Sequence, residues 1–302
     1  MFSPARYSSL PGLPFGGDPQ RYPQRDEVVD YLLRYADRPN AEVRTGHRVD
    51  EVRGDGDGEG FEMTLADGSQ LAARAVVAAT GGFASPNRPA LPGLDSFTGT
   101  LLRVAQYHDP KPFTGRRVVV VGAGNSAVQV AAELAGHARV SLASRAPVKW
   151  FEQRPPGGRD LHFWLNTGLD IAPLGRFQHA PATMAVIDDG RYRAAVAAGA
   201  PDRRPMCTTV EGSKVIWPDG LSEEIDTIVL ATGYRPDLGY LAPLRALGSQ
   251  GRPRHRNGLA HAHPGLAFVG LEWRRSLSSA SLRGVGRDAD RVARRLAALG
   301  RP

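Results

Sequence analysis

Five residues, Arg117-Val118-Val119-Val120-Val121, run directly into Gly122-Ala123-Gly124-Asn125-Ser126-Ala127. No other stretch restricts the fold as much. A continuous apolar run rich in β-branched residues reads as a strand buried on both faces, the habit of strands in parallel sheets. Beyond the glycines, Val128, Ala131, Ala132 and Leu134 recur at helical spacing and predict a helix over about 125–135. Arg139–Ser144 then reads as a second parallel strand. Strand, glycine turn, helix and strand within about 30 residues make a βαβ unit and place the chain in the α/β class.

That context turns Gly122-x-Gly124-x-x-Ala127 into a dinucleotide-binding turn. Gly122 permits the tight turn, Gly124 lets a pyrophosphate approach the backbone, and Ala127 is small enough for close helix–strand packing. The helix N-terminus, with Ala123, Asn125 and Ser126, offers free N–H groups and a partial positive charge to phosphates. The end of the second strand selects the dinucleotide. A site for NAD places a carboxylate about 20 residues on, to hold the ribose 2′-hydroxyl. Here Ser144-Arg145 stand 22 and 23 residues after Gly122. A guanidinium and a hydroxyl match a 2′-phosphate, which a carboxylate would repel, so NADPH is expected rather than NADH.

The remaining chain is consistent with a folded protein. Its 302 residues are 41% hydrophobic and 23% charged, apolar enough to offset ordering entropy and exclude a disordered chain. The single cysteine, Cys207, excludes a disulfide scaffold, and no apolar run approaches the roughly 18–20 residues of a membrane span. The first 25 residues carry arginines and prolines where a signal peptide needs apolar residues. A soluble, cytoplasmic protein is expected. All but three of the 38 basic residues are arginine, yet they spread from Arg6 to Arg301 and the densest run, Arg252-Pro-Arg-His-Arg256, has no interleaved aromatics, so no nucleic-acid partner is expected.

Asp26 is read as the cap of a helix with Val28, Val29, Leu32 and Leu33 on its apolar face and Pro39 beyond its end. Residues 41–53 alternate like a strand, 54–60 form a loop tip, and 61–65 and 70–77 a hairpin about Ala66-Asp67-Gly68-Ser69. A buried strand over 75–82 leads into a Pro-rich connector over 84–114. Residues 150–215 read as irregular, with a helix near 189–198. Strands are expected at 224–232 and 265–270, and an amphipathic helix at 288–299. His261 and His263 lack companions at metal-binding spacing, so no metal is expected.

The strand, VGAGNSA turn and Ser-Arg strand end resemble the NADPH domain of flavin-containing monooxygenases, members of the two-dinucleotide-binding flavoproteins. The flanks agree. Phe97-Thr-Gly99-x-x-x-Arg103-x-x-x-Tyr107 resembles that family's Phe-x-Gly-x-x-x-His fingerprint, with Arg103 in place of the histidine. Ala231-Thr232-Gly233 resembles its second Ala-Thr-Gly motif. Phe268-Val269-Gly270 and Arg283-Gly-Val-Gly286-Arg-Asp288 resemble its flavin-contacting C-terminal segment.

The resemblance implies nested Rossmann-like domains: an NADPH domain at 113–235 inserted in a FAD domain made of 1–112 and 236–302. It implies FAD beside Thr80, Gly81, Gly270 and Gly286, with Thr232 and Gly233 on the NADPH side and Ser3 and Arg6 as nicotinamide or flavin contacts. The family's first unit, a strand–Gly-x-Gly-x-x-Gly–helix that binds the ADP half of FAD, does not precede Phe2. A start upstream of Met1, or a truncation, is therefore expected. The implied activity is NADPH-dependent oxygenation of a small organic substrate with O2, through a flavin hydroperoxide. Two alternatives stay open: a flavin reductase or oxidase without oxygen transfer, and an NADP-binding protein without catalysis. No catalytic acid–base residue is nominated; a homo-oligomer is possible.

Overall fold

The computed structural model describes residues 2–38, 41–56, 60–153, 166–174 and 185–299. These group into two compact units, one of residues 86–153 and 185–235, the other of residues 2–85, 166–174 and 236–299.

The first unit is built on a five-stranded, all-parallel sheet. In spatial order its strands are Asp202–Pro205, Arg139–Ser144, Arg117–Val121, Thr227–Leu230 and Thr100–Arg103. The valine strand lies at the centre and every one of its residues is buried. Its side chains alternate between two apolar layers. Val118 and Val120 pack with Ala127, Val128, Ala131 and Leu134 of the helix Asn125–Ala135. Val119 and Val121 pack with Leu91, Leu94, Val215, Trp217 and Ile225 on the other face. Cover on both faces is the reason a strand without polar alternation is stable here.

A buried ion pair holds the amino-terminal edge of this sheet. Arg117, 6% exposed, donates from Nε and Nη2 to the Glu223 carboxylate at 2.7 and 3.1 Å and from Nη2 to Ser141 Oγ at 2.6 Å. Trp217 Nε1 donates to the same carboxylate at 3.0 Å. These bonds hold Glu223 below its usual carboxylate range, with Arg117 the main cause.

Two elements here depart from the sequence reading. Thr100–Arg103, inside the expected connector, is an edge strand, because pairing with Thr227–Leu230 satisfies its backbone despite flanking prolines. The stretch read as irregular holds short strands at Trp150–Glu152, Val186–Asp188, Asp202–Pro205, Thr209–Glu211 and Lys214–Ile216. Its helix is Arg191–Ala197. Strands of three or four residues carry too little periodicity to read from sequence.

In the second unit, Val49–Gly54, Phe61–Leu65 and Gln70–Ala73 form an antiparallel meander with the expected hairpin turn between the last two. A second sheet orders His255–Arg256, Leu259–Ala260, Leu266–Phe268 and Val76–Ala78, and its last two strands are parallel. The helix Arg25–Ala36 is capped by Gln24, in a capping box with Glu27, rather than by Asp26. It buries Tyr31 completely, whereas Val29, Leu32 and Leu33 are 50%, 43% and 61% exposed. Tyr31 prevails because its ring stacks on Phe15 and its hydroxyl bonds Leu10 N–H and Leu13 C=O. The last helix spans Leu282–Leu299, starting six residues before the expected 288.

Part of the sequence reading lies outside the described residues: Pro39, Asp57–Glu59 of the loop tip, and 154–165 and 175–184 of the stretch 150–215.

Candidate functional site

The carboxyl ends of the central parallel strands converge on the glycine turn. Gly122 adopts φ +148° and donates its N–H to Ala143 C=O at 2.9 Å, while Ala231 donates to Val121 C=O at 2.9 Å. A Cβ at Gly122 would stand 2.3 Å from the Ala231 carbonyl oxygen, so both conformation and space demand glycine. Gly124 differs: a Cβ there would meet nothing within 4 Å. Its surroundings are open on the side where a ligand would approach.

Gly124 is also the N-cap of the helix Asn125–Ala135, and no side chain caps it. The first-turn amides, Asn125 and Ser126 among them, thus point out of the helix without intrahelical carbonyls. Ala127 is fully buried against the turn. The Asn125 side chain has a task the sequence did not reveal. Its Oδ1 accepts the Ile187 N–H at 2.9 Å and its Nδ2 donates to Ala185 C=O at 3.4 Å, tying the strand Val186–Asp188 to the turn. Its backbone N–H, in the first turn, has no intrahelical carbonyl to meet.

Ser144, buried, ends the second strand and donates its hydroxyl to Ala146 C=O at 2.7 Å. Arg145 is exposed and makes no ion pair among the described residues. The guanidinium remains available to an anion, and the serine hydroxyl retains only acceptor capacity.

Thr232 and Gly233, at φ +83° for the glycine, follow the Thr227–Leu230 strand. They are clamped by Asn87, which no sequence signal marked. Thr232 Oγ1 donates to Asn87 C=O, and Asn87 donates its N–H to Gly233 C=O at 2.8 Å. A cavity of about 190 Å³ opens beside this clamp, lined by Asn87, Arg103, Gln106, Leu230, Thr232 and Tyr234 among others. Arg103, the fingerprint departure, is thus a lining residue of that cavity.

In the other unit, the structure gathers three expected residues at one edge. Val76–Ala78 and Leu266–Phe268 run parallel, and Val269 donates to Ala78 C=O at 3.1 Å. Thr80 and Gly81 therefore emerge beside Gly270. Both glycines have positive φ, +69° and +77°, and neither has an atom within 4 Å of an added Cβ. Burial pushes the nearby Tyr240 phenol pKa up, with the Thr80 hydroxyl acting in the opposite direction.

Gly286, expected just before the last helix, is inside it, within Leu282–Leu299, where a Cβ would stand 2.4 Å from Pro11 Cγ. Ser3 Oγ meets Ser8 Oγ at 3.0 Å, and Arg6 lies over the Tyr7 ring.

Residues 9–164 match the family model described as pyridine nucleotide-disulphide oxidoreductase. The chain belongs to that family. A CzcO-like oxidoreductase of Geobacillus kaustophilus is 30% identical, over 96% of this chain and 83% of its own length. The flavin-containing monooxygenase of Stenotrophomonas maltophilia is 30% identical with a TM-score of 0.81, covering 99% of this chain and 84% of its own. Indole-3-pyruvate monooxygenase YUCCA1 of rice is 29% identical over 78% of this chain and 65% of its own length.

Within the pyridine nucleotide-disulphide oxidoreductases, this chain is a flavin-containing-monooxygenase-like oxidoreductase with the two-dinucleotide-binding α/β fold. With one cysteine, this chain holds no internal cysteine pair for the disulfide chemistry in the family's name. Cys207 is buried, and burial pushes its thiol pKa up. No described helix is long and apolar enough to cross a membrane.

Proposed function

We propose that this chain is an NADPH-dependent flavoprotein monooxygenase that oxygenates a small organic substrate with O2. One observation carries the reading: an open, uncapped turn at Gly124, and an exposed Arg145 at the next strand's end without an ion pair among the described residues, occur in a chain similar to flavin monooxygenases over nearly its whole length. The residues present fit a phosphorylated dinucleotide. Gly122, Ala123 and Gly124 would receive the pyrophosphate, with the Asn125 and Ser126 amides directed at it. Arg145, beside Ser144, would pair with the 2′-phosphate. Asn87 holds Thr232 and Gly233 in place beside that turn.

The open edge at Thr80, Gly81 and Gly270 fits a flat group laid against backbone, and we assign FAD to it. Bound there, FAD supplies hydride acceptance and oxygen activation. Ser3 and Arg6 are assigned to the nicotinamide or flavin side. The unit holding the valine strand would be the NADPH domain, the other the FAD domain. With one cysteine and no described membrane-crossing helix, we place the protein in the cytoplasm.

A second reading, a reductase or oxidase without oxygen transfer, is favoured by Arg103 at the fingerprint histidine position. Absorbance of the purified protein and the balance of NADPH against product separate the readings. Flavin absorbance, with NADPH consumed for an oxygenated product, is expected. Peroxide accounting for all the NADPH would establish the second reading, and a colourless protein merely protected from heat by NADP⁺ would overturn both.

A further inference from the structure

Four residues beyond Gly270 stands a half-buried cation, Arg274, with no acidic partner among the described residues. Arg274 Nη1 is fully buried and has no hydrogen-bond partner, and Nε reaches only the Glu272 carbonyl, at 3.4 Å. No described acid pairs with it, although the next residue, Arg275, bonds Asp288 at 2.6 Å. Its neighbourhood is basic: Arg252 repels it, and it lies near enough to His255 to disfavour protonation of that imidazole. Burial first, then Arg252, brings the guanidinium pKa down to about 10, so it stays charged near neutral pH. His255 is neutral there, because burial holds its pKa down at about 4.

The backbone adds to the anomaly. Trp273 adopts φ +55°, a conformation that bulky side chains avoid and that concentrates at ligand sites. An unpaired buried charge is costly unless something anionic arrives to meet it. One inward guanidinium beside a neutral imidazole matches a monoanion, and its planar donor fork matches a carboxylate. His255 packs its ring 6.2 Å from Phe268, the last residue of the strand leading to Gly270. The pair therefore stands at the same strand end as the edge assigned to flavin.

We propose that Arg274 is a specificity-determining anchor that binds the carboxylate of the organic substrate. This rests on the monooxygenase reading only in calling the bound acid a substrate; the anion site itself does not.

The test uses the purified full chain, with benzoate and benzamide as probes of equal shape. Calorimetry should show benzoate binding at least tenfold tighter than benzamide. Arg274→Gln should abolish that preference and Arg274→Lys should keep part of it. Flavin content and NADP⁺ affinity should stay unchanged in both variants. Without ligand, Arg274→Met should melt no lower than wild type, since it removes an unpaired buried charge; this separates lost binding from lost folding.

Equal benzoate binding by wild type and Arg274→Gln, or no preference over benzamide in wild type, would overturn the anchor. Loss of flavin or of inorganic pyrophosphate binding in Arg274→Gln, with benzoate unaffected, would assign the guanidinium to a cofactor phosphate instead and equally overturn it. A chain that prefers benzoate through Arg274 but binds no NADP⁺ would keep the anchor and reject the monooxygenase reading.

Discussion

Gly122 and Gly124 stand two residues apart in one motif, yet they do different work. A side chain at Gly122 would strike the Ala231 carbonyl from a backbone conformation that L-residues rarely adopt, whereas one at Gly124 would enter open space. Gly122→Ala should therefore cost about 2–4 kcal/mol of stability through overpacking and backbone strain together. Gly124→Ala should melt within a degree or two of wild type and still weaken NADP⁺ binding at least tenfold, because its methyl occupies the phosphate approach. Thermal denaturation and NADP⁺ titration of both variants check this pair of outcomes. Arg145 makes the complementary prediction. Arg145→Glu should move the ratio of the NADPH and NADH specificity constants toward NADH by about tenfold or more, on the scale of a charge-assisted hydrogen bond. An unchanged ratio would remove Arg145 from the site.

Among the elements, the last helix shows what spacing leaves undecided. The amphipathic pattern was plain from 288 onward, but the turn and a half before it contains Gly284 and Gly286, poor helix formers that masked the true start. They are helical because the helix is pressed against neighbours: Gly284 lies against Ser278 and Gly286 against Pro11. Gly286→Ala should lower stability by about 1–3 kcal/mol through overpacking, with flavin content per folded chain unchanged. A variant that folds with wild-type stability but loses flavin would instead assign Gly286 to the cofactor site. The helix Arg25–Ala36 teaches the same lesson from the other side. Its apolar face was legible, but the residue that anchors it is Tyr31, chosen by stacking on Phe15 and by two hydroxyl bonds across the N-terminal segment.

At the scale of the whole molecule, burial gives stability a pH dependence. Burial, with Arg274 nearby as a lesser cause, holds His255 near about 4, below its ordinary 6.5. Between those values the unfolded chain binds a proton at this position and the folded chain does not. Stability is therefore full above about pH 6.5 and falls as pH drops toward 4. Urea midpoints should decline over that window less steeply in His255→Gln than in wild type. The sequence alone determined the α/β class, the central valine strand, the turn at Gly122–Ala127 and the Ser144-Arg145 strand end. It could do so because a βαβ unit writes its periodicity, glycines and small residues into one short local segment. Tertiary structure alone decided that Thr100–Arg103 is a sheet strand, that Asn87 clamps Thr232 and Gly233, that Gly286 packs against Pro11, and that Arg274 Nη1 is buried without a hydrogen-bond partner. Each depends on residues distant in the chain meeting in space. Pairing partners, close approach and the absence of a counter-charge leave no periodic trace in a linear sequence.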